Sequence, residues 1–103
     1  MEADVFRALS DPTRRAVYER LAGGEQTVSA IKAGMPISQP AVSQHLAALK
    51  AAGLVADRRE GRCAFYRIEP AGLSPLVDWI ERTRAFWPER IERLRDVLKR
   101  MDQ

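Results

Sequence analysis

Residues 38–55, SQPAVSQHLAALKAAGLV, constrain this chain more tightly than any other stretch. Val42, Leu46, Leu49 and Leu54 recur at the spacing of one buried helical stripe. The opposite edge carries Pro40, Ala41, Ser43, Gln44, Ala47 and Ala48, small or polar and without charge, in a chain that is 30% charged. Solvent-facing helix edges in so charged a sequence normally carry Arg or Glu, so this bare edge asks for a partner that needs close approach. Ser38 can cap the helix and Gly53 can end it.

The rest of the chain is punctuated by capping and breaking residues. Residues 3–9, ADVFRAL, read as a short helix with Val5, Phe6 and Leu9 on one side. In SDPTRR, Ser10 or Asp11 caps a second helix and Pro12 suits its first turn. That helix turns Ala16, Val17 and Leu21 inward and stops at Gly23-Gly24. Thr27 caps a short third helix, VSAIKA, closed by Gly34 and Pro36. After residues 38–52 come two β-capable runs, 54–59 and 62–68, flanking Glu60-Gly61, where glycine supplies the positive φ of a tight hairpin. Tyr66 and Ile68 are assigned to the core side. Ser74-Pro75 opens a C-terminal helical third in which Leu76, Ile80, Trp87, Ile91, Leu94, Leu98 and Met101 keep one apolar phase across Pro88. Pro88 must kink or split that helix. The apolar surface is longer than so small a domain can cover, which predicts helix-to-helix pairing with a second copy.

At 103 residues the chain is one domain, 1–103. Its net charge of +3 and pI of about 9.5 fit a polyanionic partner. Among 17 basic residues only Lys32, Lys50 and Lys99 are lysine. Arginine suits bidentate recognition of phosphate and guanine. One cysteine, Cys63, excludes an internal disulfide and points to a reducing compartment. The N-terminus has no signal-peptide pattern and no run is long enough to span a bilayer, so a cytoplasmic location and no membrane partner are expected. No nucleophile–base–acid set and no phosphate-cradling glycine loop is present, so no enzyme activity and no cofactor are expected.

The order helix, helix, short helix, turn, helix, hairpin predicts a mainly α fold with a small β-hairpin: a helix-turn-helix over about 28–52 and a wing over about 54–68. A recognition helix must enter a major groove about 12 Å wide, and a slim, uncharged, hydrogen-bonding edge meets that need. Ser38, Ser43 and Gln44 can contact phosphates and base edges, while Pro40 and Ala41 let the backbone come close. Arg58, Arg59 and Arg62 surround the wing tip, with Tyr66 behind them. Such a loop can follow the DNA backbone or enter a minor groove. Cys63 lies in the same hairpin, either as an ordinary strand residue or as a candidate redox thiol whose oxidation would disturb the wing. Trp79, Phe86 and Trp87 read as dimer core or, alternatively, as the place for a small-molecule effector of unknown identity.

SDPTRR, SQPAVSQHLAALKAAGLV and RREGRCAFYRI, in that order, resemble the arsenic-repressor-like (ArsR-type) winged-helix regulators of bacteria across nearly the whole chain. The resemblance implies a homodimer that represses transcription at an inverted-repeat operator in double-stranded DNA. It places recognition-helix contacts on Ser38, Gln39, Ala41, Ser43, Gln44 and His45, with Pro40 and Lys50 on the same inserted segment, and wing contacts on the arginines around Gly61. It also implies that residues 3–9 and 74–101 form the dimer interface, through Val5, Phe6, Leu9, Leu76, Trp79, Ile80, Trp87, Ile91, Leu94 and Leu98. Metal-sensing members place paired thiols on the first helix of the motif or His/Asp sets on the last. Here VSAIKA has no ligand and the last helix has neither His nor Cys, so no metal is expected and the tail resembles the non-metal branch. The alternative is a winged helix that serves as a protein-interaction module without a DNA function.

Overall fold

In the computed structural model, residues 2–84 and 88–101 are described. Helices α1 (Glu2–Ser10), α2 (Pro12–Arg20), α3 (Val28–Ala33) and α4 (Gln39–Ala51) precede a hairpin, β2 (Val55–Glu60) and β3 (Cys63–Ile68), then α5 (Ser74–Arg84) and α6 (Pro88–Met101). A two-residue strand, β1 (Gln26–Thr27), joins the sheet in the order β1–β3–β2, all antiparallel. Short 3₁₀ turns at Leu21–Gly23 and Pro70–Leu73 complete the chain.

The caps arise from local chemistry. Asp11 Oδ1 accepts from Thr13 N at 2.9 Å and Arg14 N at 3.0 Å, and these amide donors hold its carboxyl below the ordinary aspartate range. Of the two residues that could cap α2, Asp11 does so; the Ser10 hydroxyl donates instead to the Arg7 carbonyl at 2.7 Å. Thr27 and Ser38 cap α3 and α4, accepting from Ala30 N at 3.1 Å and Ala41 N at 3.2 Å.

The end of α4 fixes the path of the chain into and out of the hairpin. Gly53 adopts φ +78°, Gly53 N donates to Lys50 O at 3.0 Å, and Leu54 N donates to Leu49 O at 3.0 Å. This pair of bonds closes a helix with a left-handed residue and brings the next residue over the last turn. Leu54 is thereby returned onto Leu49, and both are fully buried. The chain comes back to the same place after the hairpin. Glu69 N donates to Leu54 O at 2.9 Å, and a Cβ on Gly72 would overlap the Gly53 carbonyl.

The core is Val5, Ala8, Val17, Leu21, Ile31, Val42, Leu46, Leu49, Leu54 and Val55, drawn from α1 to α4 and the start of β2. The stripe read from residues 42, 46, 49 and 54 is therefore the centre of the domain. Tyr66 and Ile68 pack against it, as their alternation on β3 requires. Val5 corrects one expectation. It is 1% exposed within its own protomer, because it packs with Ala8 into the core rather than standing on the protomer's surface.

The hairpin loop is Gly61-Arg62, one residue later than the Glu60-Gly61 turn read from the sequence: Glu60 pairs with Cys63. Only Gly61 of the two loop residues has positive φ, +62°, the requirement of a II′ hairpin turn. Strand β1 has no signal in the sequence, since two residues carry no periodicity. It covers an edge of β3 that would otherwise stand unpaired. Pro88 begins α6, so the described residues show two helices rather than one. Trp87 and Phe86 lie outside the described residues. No helix among the described residues is long and apolar enough to cross a membrane.

Leu46→Ala should destabilise the fold by about 2–5 kcal/mol, the range for an emptied core site. Gly53→Ala should cost about 1–2 kcal/mol through its left-handed backbone. Urea unfolding followed by circular dichroism measures both.

Candidate nucleic-acid interface

The edge of α4 that the core leaves free is the one without charge. Ser38, Gln39, Pro40, Ser43, Gln44 and Ala47 are exposed, and Ala41 and Ala48 are half-buried on its flank. From Gln39 to Ala51 the helix carries no carboxylate, and its first cation is Lys50. In its N-terminal turn Pro40 has no N–H and the Ala41 and Val42 amides donate to the Ser38 hydroxyl and carbonyl, so the polar groups offered outward there are chiefly side chains. His45 is half-buried on the α2 side, where it helps to hold the Asp11 carboxyl low. It therefore stands beside the capping carboxylate of α2 rather than at the centre of the exposed edge.

The wing meets this edge across a groove of about 360 Å³. Thr27, Val28 and Ser29 at the start of α3, Gln39 at the start of α4, and Arg59, Arg62, Cys63, Ala64 and Tyr66 of the hairpin line it. Strand alternation explains the selection. Asp57, Arg59, Ala64 and Tyr66 share the sheet face turned to α4, in the register Asp57↔Tyr66 and Arg59↔Ala64. Cys63 is exposed at the mouth of the groove, within the same lining as Arg59 and Arg62. The residues at the start of α3 had no signal in the sequence beyond their position at the front of the helix-turn-helix.

Two expected contact residues are engaged elsewhere. Lys50 Nζ lies 2.8 Å from Asp57 Oδ1, with side chains 56% and 25% exposed. Hydrogen bonding and charge raise the Lys50 ammonium above its ordinary value and lower the Asp57 carboxyl. Lys50 thus joins the end of α4 to β2. Arg58 sits on the opposite, outer face of the sheet. Its guanidinium bonds Glu25 and Glu60 and lies 4.6 Å above the Phe65 ring. Arg59 and Arg62, not Arg58, are the wing cations that border α4.

The chain is similar to proteins of known kind. A family model described as a helix-turn-helix domain matches residues 9–58. The HTH-type transcriptional regulator Rv2034 of Mycobacterium tuberculosis is 46% identical over 82 residues, 80% of this chain and 74% of the relative. The transcriptional repressor SdpR of Bacillus subtilis is 38% identical over 77 residues, 75% of this chain and 86% of the relative. The chain belongs to the ArsR family of winged helix-turn-helix transcriptional regulators. Among solved structures, the homodimeric winged helix-turn-helix DNA-binding domain of Mb0332 from Mycobacterium bovis superposes with a TM-score of 0.64 at 35% identity, over 81% of this chain and 80% of the other. The family includes regulators named for arsenic, such as ArsR2 of Pseudomonas putida, 43% identical over 78 residues, 75% of this chain and 64% of the relative. Members are transcriptional regulators and not enzymes.

The carboxyls that brace the wing are held low by hydrogen bonds from their cationic partners. A carboxyl depressed in the fold contributes stability above its unfolded value, about 4, and loses it as pH falls through the folded value. A carbon-detected NMR titration should therefore find Asp57 ionised below the usual aspartate range. Lys50→Met should restore the ordinary midpoint, and an ordinary midpoint in the wild type would remove the pair.

Proposed function

We propose that the protein is a homodimeric repressor that reads an inverted-repeat operator with α4 and grips the flanking backbone with its wing. The observation that carries this reading is the exposed, charge-free N-terminal edge of α4 bordering Arg59 and Arg62 across one groove. Ser38, Gln39, Pro40, Ala41, Ser43 and Gln44 enter the major groove. Two copies place their α4 helices in successive major grooves, about 34 Å apart. His45 contacts from the flank or stays with Asp11, and Tyr66 backs the wing from inside. A winged helix that only docks proteins has no need of an acid-free recognition edge beside two arginines.

The dimer rests on the C-terminal third. Trp79, Ile80, Ile91, Leu94 and Leu98 are large apolar residues left exposed by the protomer, with Val77, Val97 and Met101 beside them. Such a contiguous apolar surface is characteristic of an interface. Phe6 stacks edge-on against Trp79, with centroids 5.8 Å apart and planes at 75°, which ties α1 to α5. Leu9 and Leu76 are partly taken by the core and support this face from beneath. The Cα radius of gyration, 17.4 Å, exceeds the roughly 13 Å of a compact chain of this length. α6 extends away from the domain with every described residue exposed, as an arm that embraces a second copy does.

We place the protein in the branch that does not sense metals. A soft-metal site needs three or four converging thiolates or imidazoles. The chain has one cysteine and one histidine, and they lie on β3 and α4.

Gln44→Ala should weaken operator binding by about 1–3 kcal/mol while leaving binding to unrelated duplex nearly unchanged. A mobility-shift assay on the DNA upstream of its own gene measures this, and weak, sequence-blind retention by the wild type would favour the interaction-module reading. Added zinc or arsenite should leave the shift unaltered. Leu94→Glu should convert dimer to monomer in sedimentation velocity; a wild-type monomer would remove the paired-helix reading.

A further inference from the structure

Arg58 and Arg59 are neighbours in sequence with opposite surroundings. The cross-strand row Thr27, Phe65, Arg58 runs through all three strands. Glu25 immediately precedes β1, so its carboxylate reaches over β3 toward β2. Arg58 Nε donates to both Glu25 oxygens at 3.0 Å, and Nη2 donates to Glu25 Oε1 at 2.7 Å. Nη1 donates to Glu60 Oε2 at 2.8 Å, and the guanidinium lies over Phe65. Two carboxylates and an aromatic face thus flank one cation, 45% exposed, on the outer face of the wing. A DNA phosphate that approached the remaining N–H groups of Arg58 would meet a charge already balanced by two carboxylates, one of them held bidentate, the stronger class of charged hydrogen bond.

We propose that Glu25 is a specificity-setting residue: by holding Arg58 across Phe65 it withholds that arginine from the DNA backbone and leaves the wing to contact DNA through Arg59 and Arg62. The inference rests on the DNA-binding reading above and goes beyond it. Phosphate contacts supply sequence-independent affinity, whereas base contacts specify. Removing one wing arginine from the backbone therefore raises the share of affinity that α4 must supply from base edges. The same clamp ties β2 to the segment before β1.

The test uses the full chain, a fluorescein-labelled random-sequence duplex and the slope of log affinity against log salt. Arg62→Ala should make the slope shallower by about 0.9, one phosphate contact, while Arg58→Ala leaves it unchanged. Glu25→Gln should steepen it in part, and Glu25→Gln with Glu60→Gln by about 0.9, by releasing Arg58; neither should add anything in an Arg58→Ala background. A shallower slope for Arg58→Ala alone, or a gain from Glu25→Gln that persists without Arg58, would overturn the withholding role. The clamp itself is read without DNA: the Glu25 carboxyl should titrate below the usual glutamate range and return to it in Arg58→Ala. Ordinary titration of Glu25 in the wild type would overturn the clamp. Low titration in a protein that binds no duplex would overturn the DNA reading, and the withholding role with it.

Discussion

The burial of one stripe of α4 determines the use of everything around it. Val42, Leu46 and Leu49 are sealed in the core, and the left-handed turn at Gly53 folds Leu54 back onto the same stripe. A helix clamped at both its face and its end has no freedom to rotate. Its other edge must therefore point outward, and the sequence has stripped that edge of charge. Because β2 starts directly after Leu54, with Val55 buried beside it, the wing is anchored to the same cluster. Recognition helix and wing are thus positioned by one piece of packing.

The hairpin shows how much depends on register. With the loop at Gly61-Arg62, Arg59 faces α4 and Arg58 faces away. A slip of one residue would exchange them, because successive strand side chains lie on opposite faces. The ion pairs of the wing are exposed and contribute little to stability as such. Their consequence is geometric: Lys50–Asp57 joins the end of α4 to β2, and Glu25–Arg58 joins β2 to the segment before β1. Arg59 and Arg62, which border the groove, take no part in either brace.

The C-terminal third obeys a different logic. α5 lies against α1, and its Leu76 packs on the core, but α6 leaves Ile91, Leu94, Val97, Leu98 and Met101 to be covered by something outside the protomer. Apolar residues at helical spacing on an arm that the domain does not cover are the surface that the proposed dimer would bury. On that proposal, pairing would add burial to the small core of α1 to α4.

Much of this was legible in the sequence, for reasons that are local. Caps, glycines and prolines act within a turn, so the helices, Thr27 and Ser38 as caps, and the buried stripe at 42, 46, 49 and 54 could be read directly. So could the bare edge of α4, because it is the complement of that stripe. Pairings between distant residues could not be decided in that way. Strand β1, the reach of Glu25 across β3, the retreat of Lys50 onto Asp57 and the burial of Val5 each depend on which elements meet. The sequence by itself determined that a slim uncharged helix would be followed by a basic hairpin. Only the tertiary structure decided which of the hairpin's arginines stand beside that helix, because side-chain alternation and a carboxylate 33 positions away assign each guanidinium to its face.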